Sequence, residues 1–178
     1  MKLTSNFNLE ELSHTDHREF DNTPPDDVID NLKRLAMILE QVRSLFNGSP
    51  VMVNSAYRSL EVNRAVGSSD HSQHRFGCAA DIRIPGQTPD IVVQTIIKAN
   101  IPYDQLIKEF DAWTHISVPT NETVAPRKQV LIIEKTNSIR FFWYLCKSIN
   151  QISVCIYYIT FICFMKSFAF GFNCTGMV

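Results

Sequence analysis

Several things are scarce in this 178-residue sequence, and each absence narrows what it can be. Cysteine occurs five times, but Cys146, Cys155, Cys163 and Cys174 all fall near the end, and only Cys78 precedes them. An odd number without paired spacing gives no disulfide framework, and the lack of any CxxC pair removes a thiolate zinc site. Net charge is only -1, which leaves no basic surface for nucleic acid. The opening residues, Met1-Lys2-Leu3-Thr4-Ser5-Asn6, lack the apolar run of a signal peptide. Cytoplasmic synthesis is therefore expected, with action elsewhere only after release. Proline is missing after Pro126.

What is present is unevenly spread. Residues 1–133 carry 13 Lys and Arg against 17 Asp and Glu, a net of -4. Residues 134–178 carry four basic residues against Glu134, a net of +3, and hold 11 of the 19 aromatic residues. The chain is long enough for one domain. The expectation is a domain over 1–133 and a hydrophobic, aromatic-rich tail over 134–178. Within the tail, residues 152–165 are strongly apolar. A membrane helix needs roughly 20 such residues. The tail reads as a membrane anchor, as elements packed on the domain, or as a poorly ordered read-through extension.

In the body, Leu9 to Leu12 suits a short helix. Thr23-Pro24-Pro25-Asp26-Asp27 suits a helix start, with Thr23 as cap and the acids facing the dipole. Val28, Leu32, Leu35, Leu39 and Val42 then form one stripe of an amphipathic helix, which Asn47-Gly48 ends. Val51–Asn54 and Ala79–Ile84 read as strands, with a small helix capped by Ser59 between them. Pro89 opens a second amphipathic helix. Gln105–Phe110 and Trp113–Val118 suit a hairpin across Asp111-Ala112, and Arg127–Ile133 suits one more strand. Helices first and strands later indicate an α+β fold.

The chemistry concentrates in Ser72-Gln73-His74-Arg75-Phe76-Gly77-Cys78-Ala79-Ala80-Asp81. A catalytic zinc site needs three protein ligands and one open position. Two histidines and a carboxylate leave the site at net +1, which helps acidify a coordinated water. A bend at Gly77 brings His74 toward Asp81, and His115 comes from a neighbouring strand about 4.8 Å away. His71 competes with His74 for that place. The plain alternative is three unrelated polar residues. His14 and His17 read as surface or capping residues, and Cys78 as a small buried side chain.

Ser72-x-His74-x-x-Gly77-x-Ala79-x-Asp81 resembles the signature of the zinc D-Ala-D-Ala peptidases of M15 type. These include D,D-carboxypeptidases, the D,D-dipeptidases of vancomycin resistance and several phage endolysins; the short phage and bacterial branch is the nearest likeness. Ser55-Ala56-Tyr57-Arg58-Ser59, Asn63-x-x-Val66-Gly67-Ser68, and Leu106–Phe110 followed by Trp113-x-His115 extend it over about residues 7–133. The resemblance implies a hedgehog/DD-peptidase-like domain, with N-terminal helices packed on a small antiparallel sheet. It implies Zn2+ on His74, Asp81 and His115, a peptidoglycan peptide as substrate, and Arg58 as the group that holds substrate and meets the oxyanion, a role a guanidinium suits. Ser72 is expected either to bind substrate or to orient its loop. Trp113 reads more as packing than as recognition.

The general base is Glu109 on this reading. Better-known members place a glutamate three residues before the last histidine, where this chain has Ala112. Strand geometry decides the matter, because faces alternate every residue. A two-residue loop turns Glu109 away from the metal, and Asp111 becomes the substitute. A three-residue loop or a bulge pairs Glu109 with Trp113 and puts it on the face of His115. The expected activity is a monomeric zinc carboxypeptidase or endopeptidase of the cell wall, such as an endolysin or a virion-associated hydrolase. The alternatives are a catalytically weak wall-binding module on the same fold, and a metal-dependent amidase.

Overall fold

The computed structural model describes residues 1–133 and, for their backbone, 139–140. Backbone contacts divide the chain into two units, Met1–Trp143 and Tyr144–Val178, and every described residue belongs to the first. The anchor, packed-element and extension readings of 134–178 fall on residues outside the described set, except for Ile139–Arg140. Among the described residues no helix is long and apolar enough to cross a membrane.

Among the described residues four helices and six strands follow one another as α1 (Leu9–Leu12), α2 (Asp26–Leu45), β1 (Met52–Ser55), α3 (Leu60–Ala65), β2 (Ala79–Arg83), α4 (Pro89–Lys98), β3 (Gln105–Glu109), β4 (Trp113–Ser117), β5 (Gln129–Ile133) and β6 (Ile139–Arg140). A short 3-10 helix, Gln73–Phe76, stands between α3 and β2. The fold is α+β, as the order of elements indicates. The strands lie side by side as β1-β2-β4-β3-β5-β6. All pairs are antiparallel except β3 with β5, which run parallel. That one parallel pair refines the all-antiparallel expectation: the segment from Val118 to Lys128 carries the chain back before β5 starts.

The two long helices form where the apolar spacing places them. In α2 the stripe of Val28, Leu32, Leu35, Leu39 and Val42 is buried, joined by Ala36 and Ile38. Its start differs from expectation. Pro25 occupies the N-cap position without a side-chain cap, while the Thr23 amide donates to Asp21 Oδ1 at 2.9 Å. Asp26 and Asp27 supply the favourable charge in the first turn. Thr88 caps α4 by accepting from the Ile91 amide. Ala80, Ile82, Leu106 and Ile116 share one sheet face and join α2 and α4 in the core. The other face carries the polar residues of interest.

Gly77 ends the 3-10 helix with φ +65 and lies against α2. A Cβ there would come within 2.8 Å of Val28 Cγ1 and 3.0 Å of the Val28 carbonyl oxygen. Gly77→Ala therefore combines left-handed strain of about 1–2 kcal/mol with overpacking of about 1–3 kcal/mol. Thermal denaturation should show a Tm at least about 5 °C lower. An unchanged Tm would mean that α2 yields to the added methyl group.

Candidate active site

Asp81 and His115 sit opposite each other in the ladder of β2 and β4. Ser55 pairs with Asp81 on one side and Ile107 with His115 on the other. The β1 ladder slips by one residue between Val53 and Ser55, and this irregularity at Asn54 brings Ser55 into line with Asp81. His74 reaches the same place from the 3-10 helix, where the Gly77 amide donates to the His74 carbonyl at 3.2 Å.

The three side chains converge on one point. His74 Nε2 lies 3.3 Å from Asp81 Oδ1 and 3.3 Å from His115 Nδ1, and His115 Nδ1 lies 2.9 Å from Asp81 Oδ1. Tetrahedral ligands at about 2.0–2.1 Å from a zinc-sized ion are about 3.3–3.4 Å apart. Two edges of this triangle match that spacing. His74 Nδ1 donates to the Ala56 carbonyl at 2.7 Å. A carbonyl only accepts, so the proton belongs on Nδ1 and the Nε2 lone pair faces the cluster. Two imidazoles and a carboxylate, all nearly enclosed, fit a divalent metal of borderline softness.

The electrostatics favour the protonation states that a metal requires. Burial pushes the His74 pKa down, against the pull of Asp81, so the ring is neutral near pH 7. Burial works to raise the Asp81 pKa, but His74 and His115 outweigh it and hold the carboxyl well below the usual range. His74 carries a pH signature for the metal-free protein. Unfolded, its ring titrates near about 6.5. Because its folded pKa is lower, the unfolded chain binds more protons in the interval between them, and stability rises with pH there. The contribution is complete above about pH 6.5 and is lost as pH falls below it. Urea midpoints of the metal-free protein should fall from pH 7 to pH 5. If His74→Gln shows the same fall, another group is responsible.

Arg58 stands beside the triangle. Its Nη2 donates to Asp81 Oδ2 at 2.7 Å and its Nε to Ser55 Oγ at 2.8 Å. Nη1 has no hydrogen-bond partner among the described residues. Arg58 thus touches the outer oxygen of a candidate ligand.

The hairpin decides where Glu109 points. Glu109 pairs with Trp113 and Ile107 with His115, so the loop holds three residues, Phe110-Asp111-Ala112. Phe110 ends up in the turn, outside the strand expected for it. Phe110 and Asp111 both take left-handed conformations, each with φ 55. The odd loop puts Glu109 on the face of His115 and Asp81. Trp113 Nε1 donates to Glu109 Oε2 at 2.9 Å, which gives the indole a polar role beside its packing on Phe110. Burial raises the Glu109 pKa, and the charge of Asp81 adds to the rise. Asp111, the substitute base, is held instead by Lys108 Nζ at 2.6 Å, and the same ammonium reaches Asp90 at 2.7 Å.

The remaining residues are placed as follows. Ser72 Oγ accepts from the His74 amide at 3.4 Å, capping the 3-10 helix. His71 is exposed and outside the triangle. His14 and His17 lie by Asp16 and Glu19, far along the chain from it. Cys78 is buried, with its thiol pushed up to about 11 by burial, and is no member of the cluster. Two supports had no sequence signal. Asp104 accepts from Gln73 Nε2 at 3.0 Å and from Arg127 Nε at 3.1 Å, steadying the turn that carries His74. Asn22 bonds on both sides of Arg58. Trp113 also lines a cleft of about 210 Å³ with Met52, Arg83, Pro85 and Ala112.

An α+β domain that turns two histidines, a carboxylate, a partly buried glutamate and an arginine toward one face of its sheet defines a metal-dependent hydrolase. The model of the peptidase M15 family matches residues 5–117, and the chain belongs to that family. It is therefore a metallopeptidase acting on a peptide substrate, with His74, Asp81 and His115 placed for a metal. No curated protein matches the chain.

Proposed function

We propose that the protein is a zinc metallopeptidase of bacterial peptidoglycan, cutting peptide bonds beside D-amino acids as a D-Ala-D-Ala carboxypeptidase or an endolysin-type endopeptidase. The observation that carries this is the His74–Asp81–His115 triangle with Glu109 on the same sheet face. When bound, Zn2+ supplies a Lewis acid that polarises the carbonyl and acidifies water. The chain's own residues do the rest. His74 Nε2, Asp81 Oδ1 and His115 Nδ1 would hold the ion. Glu109 takes the proton of the attacking water and passes it to the leaving amine. Arg58 offers Nη1 to the carbonyl oxygen as negative charge grows on it. Ser72 keeps His74 in place and lies at the substrate's edge. The protein works as a monomer and reaches the wall on lysis or with a virion.

The test is bound zinc together with D-alanine release from a D-Ala-D-Ala-terminated wall peptide, beside an all-L peptide of the same sequence. One zinc per chain and cleavage of the D-peptide alone support the reading. Cleavage of only the L-peptide would overturn the substrate, and zinc without any hydrolysis would overturn the enzyme.

A further inference from the structure

Asn22 lies in the loop between α1 and α2, and only 9% of its surface is exposed. Its side-chain amide is engaged at both ends. Nδ2 donates to the Ser13 carbonyl at 2.8 Å and to the Tyr57 carbonyl at 3.1 Å, and Oδ1 accepts from the Ser59 amide at 2.7 Å. Tyr57 and Ser59 are the two neighbours of Arg58. One side chain therefore grips the backbone before and after the arginine. The Arg58 amide donates to the His74 carbonyl at 3.2 Å, and its guanidinium is held by Ser55 and Asp81.

The chemistry of that grip is selective. Two carbonyls require donors and one amide requires an acceptor, all within reach of a short side chain. Asparagine meets this with one planar group; aspartate offers no donor and alanine offers neither. The bond to the Tyr57 carbonyl is buried and the other two are partly buried, so losing them leaves polar groups short of partners. A donor to a developing oxyanion works only within about 2.7–3.1 Å, and an error of about 1 Å in such placement can cost 10²-fold in rate.

We propose that Asn22 is a positioning residue for Arg58: it fixes the arginine's backbone so that the guanidinium stays against Asp81 with Nη1 open toward substrate. This rests on the role of Arg58 given under Proposed function. A loop staple with no bearing on Arg58 would use the same bonds, and a double-mutant cycle separates the two.

The full-length chain carries Asn22→Ala in the wild-type and Arg58→Ala backgrounds. The readouts are kcat and KM on the D-Ala-D-Ala peptide, bound zinc, and the Arg58 Nε–H signal in ¹⁵N–¹H spectra, assigned by its absence from Arg58→Lys. Asn22→Ala should lower kcat about 10–100-fold, keep zinc, and shift or broaden the Arg58 Nε–H signal. In the Arg58→Ala background it should change kcat less than about 2-fold, since the group it positions is gone. Equal losses in both backgrounds, or an unchanged Arg58 Nε–H signal in Asn22→Ala, would overturn the proposal. If Arg58→Ala alone left kcat intact, the catalytic role of Arg58 would fall, and the Nε–H signal would still decide whether Asn22 holds it. Should Asn22→Ala not fold, Asn22→Ser, which keeps a donor and an acceptor at shorter reach, goes through the same cycle with the same criteria.

Discussion

His115→Ala should release the metal and abolish hydrolysis. His115 Nδ1 supplies one of three ligand atoms, at 2.9 Å from Asp81 Oδ1 and 3.3 Å from His74 Nε2. Losing even an outer partner of a ligand commonly costs 10–100-fold in metal affinity, so loss of the ligand itself should exceed about 100-fold. Activity should fall by at least about 10³-fold, because water activation and carbonyl polarisation disappear together. Isothermal titration with zinc and peptide hydrolysis measure the two effects. His71→Ala serves as the control. His71 is exposed and outside the triangle, so it should bind zinc as the wild type does. If His115→Ala kept its zinc and His71→Ala lost it, the ligand set would have to be redrawn around His71. Circular dichroism of His115→Ala should stay native-like, since the core of α2, α4 and the opposite sheet face is untouched.

The residues show why some of this was legible in the sequence. The α2 stripe repeats every three or four positions because burial requires it, so the helix could be placed from pattern alone. Gly77 was readable as a bend because few other residues accept its backbone. The triangle was readable because His74 and Asp81 stand in a ten-residue stretch that resembles a peptidase signature, with His115 in a Trp-x-His segment downstream. The hairpin was different. Sequence left two loop lengths open, since the three-residue turn depends on left-handed Phe110 and Asp111, and neither type announces that conformation. The parallel pairing of β3 with β5 left no trace either, because strand direction follows the path of the connection rather than side-chain alternation. Thr23 misled, because a residue before proline is disfavoured from the helical region, so Pro24 stays extended before Pro25 and the helix entry moves to Pro25. Asn22 was hidden for another reason: its partners Tyr57 and Ser59 lie 35 and 37 residues along the chain.

Glu109→Gln should keep the metal and lose the reaction. Glutamine has the same shape, and its side-chain oxygen can still accept from Trp113 Nε1, so the hairpin and its T-shaped Phe110–Trp113 contact should persist. What disappears is the ability to take a proton, which is worth typically 10²–10⁴-fold for a positioned base. kcat should fall within that range while zinc content and Tm stay at wild-type values. The pH profile adds a second check. A base must be ionised to act, and burial together with the Asp81 charge raises the Glu109 pKa. A divalent ion bound beside Asp81 acts against that rise, so the acid limb of kcat/KM reports their balance in the loaded enzyme. Trp113→Phe removes a donor that favours the ionised form, so it should move the limb up in pH. Asp111→Asn should leave the profile in place, because Lys108 holds that carboxylate at the hairpin tip. A Glu109→Gln enzyme within a few-fold of wild type, beside an inactive Asp111→Asn, would transfer the proton to Asp111. That outcome would require the turn to open during turnover and Lys108 to release its partner. Retained activity in both variants would leave neither carboxylate as the base.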